Sequence, residues 1–301
     1  MRVSTISLQQ TMRLSMQRAQ QELATTNERL ATRKKANDMA ELGTEAVRSL
    51  STRSMRAGQE AQGKAARAVG TTLALYDANI GAVDNLATDL RSSLVTAVGN
   101  GASGGLQQTI ENAFSQFRGA LNATADGKSL FGGSQTETQP FLPQTLADTV
   151  GATTEAAFAD DLTRATTRVA DNVDVAYGVS AREFGSDLLA AFRTLAEAGP
   201  IGDVPTADQL TALKNAIGQI DAALPEVRTV NAANGERQQQ VEALAIRADE
   251  RGTLLDSMIS ATEDADYSQL SIDLALQKQL LEASYSVFTQ ITEMSLTNYL
   301  D

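Results

Sequence analysis

"VGTTLALYDANIGAVDNLATDLRSSLVTA", residues 69–97, carries the most regular apolar pattern in the chain. Apolar residues alternate at spacings of four and three through nine positions: Val69, Leu73, Tyr76, Ile80, Val83, Ala87, Leu90, Leu94 and Ala97. This is the ~3.5-residue repeat of helices that wind around each other in a left-handed supercoil. The stretch therefore predicts a helix of roughly 43 Å that packs lengthwise on another helix. The glycine-rich "VGNGASGG", residues 98–105, ends it.

Similar seams occupy both ends of the chain. Near the N-terminus one row keeps the same spacing, with Thr26 as its one polar member: Met12, Met16, Ala19, Leu23, Thr26 and Leu30. Near the C-terminus two adjacent rows recur at sevens: Leu274, Leu281 and Phe288, then Leu280, Val287 and Met294. Since prolines are confined to residues 140–225, long uninterrupted helices are permitted at both ends. We interpret three sets of these residues as an assembly seam. They are the N-terminal residues Met12, Met16, Leu23 and Leu30, the two C-terminal rows, and the residues Val69, Leu73, Tyr76, Ile80, Val83, Leu90 and Leu94.

The middle of the chain has a different pattern of apolar residues. Valines and a tyrosine on odd positions between 169 and 179 predict extended chain, and an apolar face over 184–195 predicts a short helix. Thr206 and Gln209 have the spacing of a capping box at the start of a further helix, which Pro225 should kink or end.

The predicted fold is mainly α: a long antiparallel helical bundle or coiled coil formed by the N- and C-terminal regions, with a small β-containing insert domain. We expect three parts. Residues 1–42 with 264–301 form a terminal coiled coil, residues 43–135 with 206–263 a helical bundle with a hairpin at about 126–141, and residues 136–205 a small mixed α/β insert.

The composition excludes several kinds of catalytic and metal-binding site. The chain of 301 residues has no Cys and no His, which removes thiolate and imidazole catalysis and the usual zinc or copper ligands. The N-terminus lacks the apolar core of a secretory signal, and no run is long enough to span a membrane. Net charge is −12, but residues 1–67 are basic and residues 242–301 acidic. Two interpretations of this charge asymmetry stay open: the charges lie on the solvated faces of unrelated helices, or the two chain ends lie side by side.

The charged and glycine-rich motifs are weak evidence for a catalytic or ligand-binding site. "ATEDADYS", residues 261–268, lacks the glycine turn and terminal Glu of a calcium loop, so carboxylates at a helix start are the better interpretation. "RKK", residues 33–35, fits a solvated or partner-facing charge run better than a nucleic-acid site. The loop at 98–105 lacks the Lys-Ser/Thr of a phosphate cradle. We predict no catalytic, metal or cofactor site and no enzyme activity.

The segment "LNATADGKSLFGGSQTETQPF", residues 121–141, resembles the point at which flagellin-like proteins of the hook-associated kind leave their helical domain for an outer one. The ends "MRVSTISLQQTM" and "QKQLLEASYSVFTQITEMSLTNYL" are also similar to that family. Gly127, Gly132 and Gly133 are predicted to permit the chain reversals there, and "SQTETQ" to lie extended as a hairpin arm. The family's Gly and Pro-Ser-Asp-Asp-Pro turn is replaced by "ATRKKANDMAELG", residues 31–43, so no geometry is predicted for residues 31–45.

The resemblance implies a structural protein of the bacterial flagellum that joins the hook to the filament. Its implied partners are its own copies in a ring, the first hook-associated protein, flagellin and a flagellar export chaperone, with no nucleic acid or membrane. It would be exported through the type III channel without a cleaved signal peptide and be extracellular. We further hypothesise that both ends are disordered in the free monomer and form a coiled coil when neighbouring subunits cover them.

Three alternatives stay open. The protein could be a filament flagellin, which would assemble into long filaments. It could carry a carboxylate-dependent glycan hydrolase in the insert, with Asp160, Asp161 and Glu183 as candidate carboxylates. It could also be an intracellular coiled-coil adaptor, which its location in the cell would reveal.

Overall fold

Long helices dominate the structure, a computed structural model that describes the backbone of residues 2–170 and 172–300 and the side chains of these except residues 2–6, 8, 9 and 291–300. The helices are α1 (Arg2–Thr32), α2 (Glu45–Asn100), α3 (Leu106–Leu121), α4 (Thr154–Ala157), α5 (Ala181–Glu197), α6 (Ala207–Glu263) and α7 (Tyr267–Leu300). A 3₁₀ turn covers Leu146–Thr149. No helix in the described part of the chain is long and apolar enough to cross a membrane.

Two short antiparallel hairpins are the β-structure of the described residues. The first pairs β1 (Thr124–Ala125) with β2 (Lys128–Ser129), and the second pairs β3 (Ala165–Ala170) with β4 (Val173–Tyr177). The mainly α fold with a small β-containing part, predicted from the sequence, is thus confirmed.

The chain divides into two compact units. Unit one comprises residues 1–58 and 251–301, and unit two comprises residues 59–250. Both units contain segments of α2 and α6.

Unit two encloses a continuous apolar core. All nine seam residues between 69 and 97 are buried, at most 6% exposed. They share the core with the apolar face of α3 and with α6, whose contribution includes Leu213, Ile220 and Val227. Burying a large apolar side chain stabilises the fold by about 1.5–3 kcal/mol, so the seam at 69–97 is a main source of this unit's stability.

Phenylalanines fill the centre of unit two. Phe117 lies 5.4 Å from Phe141 and 5.1 Å from Phe192, and Phe131 lies 5.0 Å from Phe184, measured between ring centroids. Offset and edge-on contacts at these distances are favourable. Phe131 and Phe141 therefore act in the core of the chain itself.

Several local expectations can be compared with the structure. The capping box is confirmed: the Gln209 backbone N–H donates to Thr206 Oγ1 at 3.2 Å, and the Thr206 N–H donates to Gln209 Oε1 at 3.0 Å. Helix α6 continues through Pro225, so of the two expected outcomes the helix end is wrong, whereas the kink stays a prediction. Residues 134–139 lie in turns, not in an extended arm, and the hairpin in this region is the one at 124–129.

Unit one contains two helical layers. Helices α1 and α7 run antiparallel along each other, and the first turns of α2 lie with the last turns of α6. The Gln20 side-chain amide donates a hydrogen bond to the Tyr285 hydroxyl at 2.5 Å, which ties α1 to α7. The two chain ends are therefore side by side, as the opposite charges of the termini suggest.

Candidate assembly surfaces

The apolar seam of α1 is only partly covered. Met12, Met16, Leu23 and Leu30 are half-buried, while Thr26, the polar member of the row, is buried. The rest of the helix surface is mostly exposed. This row lies against α7 within unit one, so the pairing with α7 leaves part of each apolar side chain in contact with solvent.

The two rows of α7 differ in their surroundings. Leu274, Leu281 and Phe288 are half-buried. Leu280 is 57% and Val287 44% exposed. The side chain of Met294 lies outside the described residues. The structure therefore brings the first row against α1 and leaves the described members of the second row uncovered.

The uncovered row extends towards the start of α7. Ile272 is 62% and Leu276 55% exposed. At about 100° per residue, Ile272, Leu276, Leu280 and Val287 fall within an arc of about 80°, on the side of the helix opposite Leu281. Helix α7 thus has two apolar faces, one against α1 and a second, which we call the outer α7 face, open to solvent.

Unit one has no buried apolar side chain among those that the structure describes. Its exposed large apolar side chains are Leu14, Val47, Leu50, Met55, Leu254, Met258, Tyr267, Ile272, Leu276, Leu280, Tyr285 and Val287. Single exposed apolar residues are common, but a contiguous row is typical of a contact surface. Unit one therefore carries apolar surface that its own fold does not cover.

The seam residues of α2 have a different position. Val69, Leu73, Tyr76, Ile80, Val83, Leu90 and Leu94 are all buried in the core of unit two. Burial raises the pKa of Tyr76 to about 12, so its phenol stays neutral in ordinary buffers. These side chains contact the chain's own α3 and α6 segments, and only the terminal rows are open to a neighbour.

A polar cluster lies where α6 ends. We call it the Glu263 clasp, formed by Glu263, Asp264, Lys34, Ser49 and Arg53. The Glu263 side chain is 5% exposed and accepts hydrogen bonds from Arg53 Nε at 2.7 Å, Arg53 Nη2 at 2.6 Å and Ser49 Oγ at 2.6 Å. The Lys34 ammonium donates to Asp264 at 2.5 Å and to Glu263 at 3.4 Å. The hydrogen bonds from Arg53 lower the pKa of Glu263 to about 2, so the cluster holds a buried negative charge.

Backbone hydrogen bonds reinforce the clasp. The Lys35 N–H donates to the Glu263 carbonyl at 2.7 Å, and the Ala265 N–H donates to the Arg33 carbonyl at 3.0 Å. The Arg33 guanidinium also lies 5.9 Å from the centre of the Tyr267 ring, within the range of a cation–π contact. The segment after α1 thus pairs directly with the segment between α6 and α7.

The two helix ends beside the clasp are capped by charged side chains. The Lys35 ammonium donates to the carbonyls of Ala261 at 2.7 Å and Thr262 at 3.1 Å, at the negative end of α6. Asp266 Oδ1 accepts from the backbone N–H groups of residues 268 and 269, at 2.8 and 3.2 Å, at the start of α7. The helix-start interpretation of "ATEDADYS" therefore fits Asp266, whereas the two preceding carboxylates bind cations from "RKK" and α2.

Charge asymmetry was the one signal for this cluster in the sequence. It indicates that the ends attract each other, but it does not show that Lys34, Ser49 and Arg53 converge on a single carboxylate. Ser49 and Arg53 were missed because their α-helical spacing of four is common on any solvated helix.

The turn glycines lie in unit two. Asp126 and Gly127 both have positive φ, 51° and 77°, between β1 and β2, as a two-residue hairpin turn requires. A Cβ at Gly132 would lie 2.5 Å from the Gln135 carbonyl oxygen. Gly133 has φ 65° and lies against Asp161. All three predicted glycines therefore sit where a larger residue is strained or has no room.

The candidate carboxylates of the insert make structural hydrogen bonds. Asp160 accepts from the Arg182 backbone N–H at 3.0 Å, at the start of α5. Asp161 accepts from the Ser134 N–H at 2.8 Å, and hydrogen bonds from Ser134 lower its pKa. Glu183 accepts from Arg164 at 2.8 Å. Each of the three thus ties one segment of unit two to another.

The fold defines a helical structural protein whose N- and C-terminal regions together form one unit and whose middle region forms a second unit. Residues 3–136 match the bacterial flagellin N-terminal helical region, and residues 217–300 match the bacterial flagellin C-terminal helical region. Together these matches cover well over half of the chain, which belongs to the flagellin family.

Solved structures show the same fold at low sequence identity. FlgL of Bacillus cereus is 15% identical with a TM-score of 0.58, over 70% of this chain and 99% of that one. Hook-associated protein 3 of Legionella pneumophila is 12% identical with a TM-score of 0.56, over 70% and 97%. A provisionally named flagellar hook-associated protein of Vibrio parahaemolyticus is 14% identical with a TM-score of 0.59, over 73% and 97%. Compared by sequence with curated proteins, the chain has no significant match.

Proposed function

We propose that this flagellin-family protein joins the flagellar hook to the filament. The observation that carries the proposal is the outer α7 face, because it leaves the terminal unit with apolar surface for neighbouring subunits. The names of two structural neighbours, FlgL and hook-associated protein 3, favour the junction role over that of the filament subunit.

The proposed neighbours follow from that role. Copies of the chain form a ring, with the first hook-associated protein on the cell side and flagellin on the distal side. Residues 1–42 with 264–301 act as the coiled coil that contacts other subunits, residues 43–135 with 206–263 as the bundle, and residues 136–205 as the outer part. Within the assembly seam, we assign contacts between subunits to the terminal rows and stability of the subunit to the buried row of α2.

The proposal includes a route to this location. The chain passes unfolded through the flagellar type III channel, accompanied by an export chaperone, and folds at the tip of the hook. The mainly α fold supports this, because helices depend on local contacts and form quickly.

We also propose that the protein acts mechanically and not as an enzyme. Asp160, Asp161 and Glu183 support this, because each is engaged by a backbone N–H or an arginine of the same unit. A glycan-hydrolase role requires carboxylates free to donate and accept protons at a bond.

Deletion of the gene tests the proposal. Electron micrographs of the mutant cells should show bare hooks, and flagellin should appear in the medium. Re-expression of the wild-type chain should restore filaments. Long filaments formed by the purified protein alone would instead identify it as a filament flagellin, and normal flagella on deletion cells would refute both roles.

A further inference from the structure

We propose that the Glu263 clasp sets the register of α1 against α7. The inference concerns the folding of this chain itself. It therefore does not depend on which structure the protein joins, and its test is independent of the deletion experiment.

The apolar seams alone do not define the register. Leu274, Leu281 and Phe288 repeat at sevens, and so do Met16, Leu23 and Leu30. A shift of α7 by seven residues, about 10 Å along the axis, still leaves two of the three members of each row opposite an apolar side chain of the other row. Uniform heptad seams are known to need an additional polar feature to select one pairing.

Among the described side chains, the seam contacts and the hydrogen bond between α1 and α7 are too weak to choose between these pairings. The side chains of both seams are half-buried at most, except for Thr26. The Gln20–Tyr285 hydrogen bond is exposed, and exposed polar contacts contribute little because water competes for both partners.

The clasp penalises a shift strongly. Glu263 is almost fully buried and receives hydrogen bonds from two separate segments: from Lys34 after α1, and from Ser49 and Arg53 in the first turns of α2. Moving the segment would leave its charge without partners in the interior, which is far more costly than losing a surface ion pair.

The clasp is also close enough to both helices to control them. Helix α1 ends at Thr32, two residues before Lys34, and α7 begins at Tyr267, four residues after Glu263. So short a connection cannot absorb a shift of about 10 Å without changing the segments that form the clasp. The register fixed at Lys34 and Glu263 is therefore transmitted along the pair.

Cross-linking of cysteine pairs measures the register. The chain has no cysteine, so introduced thiols are the sole reactive ones. Gln20→Cys with Tyr285→Cys reports the observed register, and Gln20→Cys with Lys278→Cys reports a shift by one heptad. The full-length protein is treated with a short bis-maleimide at low concentration, and the internal cross-link is quantified by mass spectrometry.

The terminal pair of the free protein opens readily, but whenever it forms, the clasp selects the observed register. The observed-register product should therefore exceed the shifted product by about tenfold, the ratio that a modest free-energy difference produces. In concentrated urea the two pairs should react about equally, since the chain lengths between them are similar. Equal yields in native buffer would overturn the proposal.

Two clasp variants and one control complete the test. Glu263→Gln and Arg53→Ala should each bring the two products to within about threefold of one another, because a weaker penalty permits shifted pairs. Asp256→Asn removes an exposed ion pair with Arg56 in the same unit and should leave the tenfold preference intact. A preference that survives both clasp variants, with helical circular dichroism unchanged, would overturn the proposal.

Discussion

Gly133 and Asp161 approach so closely that a side chain at Gly133 would overlap the carbonyl and the carboxylate of Asp161. The contact allows Asp161 to accept hydrogen bonds from the backbone and the hydroxyl of Ser134. The turn after the first hairpin is thereby held against the segment that leads into β3.

Gly133→Ala should therefore destabilise unit two by about 2–4 kcal/mol, from steric overlap added to the strain of a positive φ. Gly151→Ala is the matched control, because Gly151 has nearly the same φ, 67°, but open space around it. The control should cost only about 1 kcal/mol. Urea unfolding of both variants measures the difference, and equal losses would contradict the steric explanation.

Glu263 should make unit one sensitive to acid. Its pKa falls from 4.5 to about 2 in the folded protein, so its stabilising contribution is complete above about pH 4.5 and is lost as the pH falls towards 2. The shift corresponds to at most about 3 kcal/mol, and we expect about 1–2 kcal/mol because the Arg53 side chain is half-exposed and screened by solvent.

The check is urea unfolding of the wild type and Glu263→Gln between pH 7 and pH 2. The difference in free energy of unfolding should shrink as the pH falls. Glu282→Gln, at an exposed position of α7, serves as control and should give a small difference throughout. A Glu263→Gln difference that stays constant with pH would rule out this linkage.

Leu280→Gln should separate assembly from stability. Because Leu280 is more than half exposed, the change should alter the free energy of unfolding by less than about 0.5 kcal/mol. If the outer α7 face contacts other subunits, incorporation into flagella should fall at least tenfold, as a lost apolar contact worth about 1.4 kcal/mol produces. Immunoblots of sheared flagella measure this. Lys278→Gln, off the outer face, should assemble normally, and normal assembly of Leu280→Gln would exclude Leu280 from the contact.

Hydrogen exchange should distinguish the two units of the free protein. Backbone amides of residues 10–30 and 270–290 should exchange much faster than those of residues 69–97, because the terminal pair lacks buried apolar side chains. Exchange on the purified full-length monomer, read by mass spectrometry of peptides, gives the comparison. Comparable protection of the three segments would show that the terminal pair is stable without neighbours.

Periodicity in the sequence predicts the long helices well, because a seam such as 69–97 encodes both the helix and its buried side. The sequence also predicts a chain reversal at Gly127, but it places the hairpin at about 126–141, whereas the structure has a two-residue turn at Asp126 and Gly127 between β1 and β2. Pro225 alone did not decide whether the helix ends: a proline removes one backbone hydrogen bond, and α6 continues through it with buried residues on both sides, Leu224 and Val227.

The candidate surfaces were less accessible to sequence reasoning. Leu280 and Leu281 are identical in type, and only the position of α1 decides that the second is covered and the first exposed. The clasp depends on contacts between residues more than 200 positions apart, which no local pattern encodes. The opposite charges of the two ends indicate that the ends attract each other, but not which residues make the contact.

Because of the second apolar side of α7, the stability of the terminal unit depends on the concentration of molecules that can cover that side. In dilute solution that side meets only water, so opening the pair costs little. In the proposed junction, each neighbouring subunit that packs on this side adds a stabilising free energy that depends on its local concentration. Under that proposal, the same helix is held loosely in the free protein and firmly in the assembly, without any change in its covalent structure.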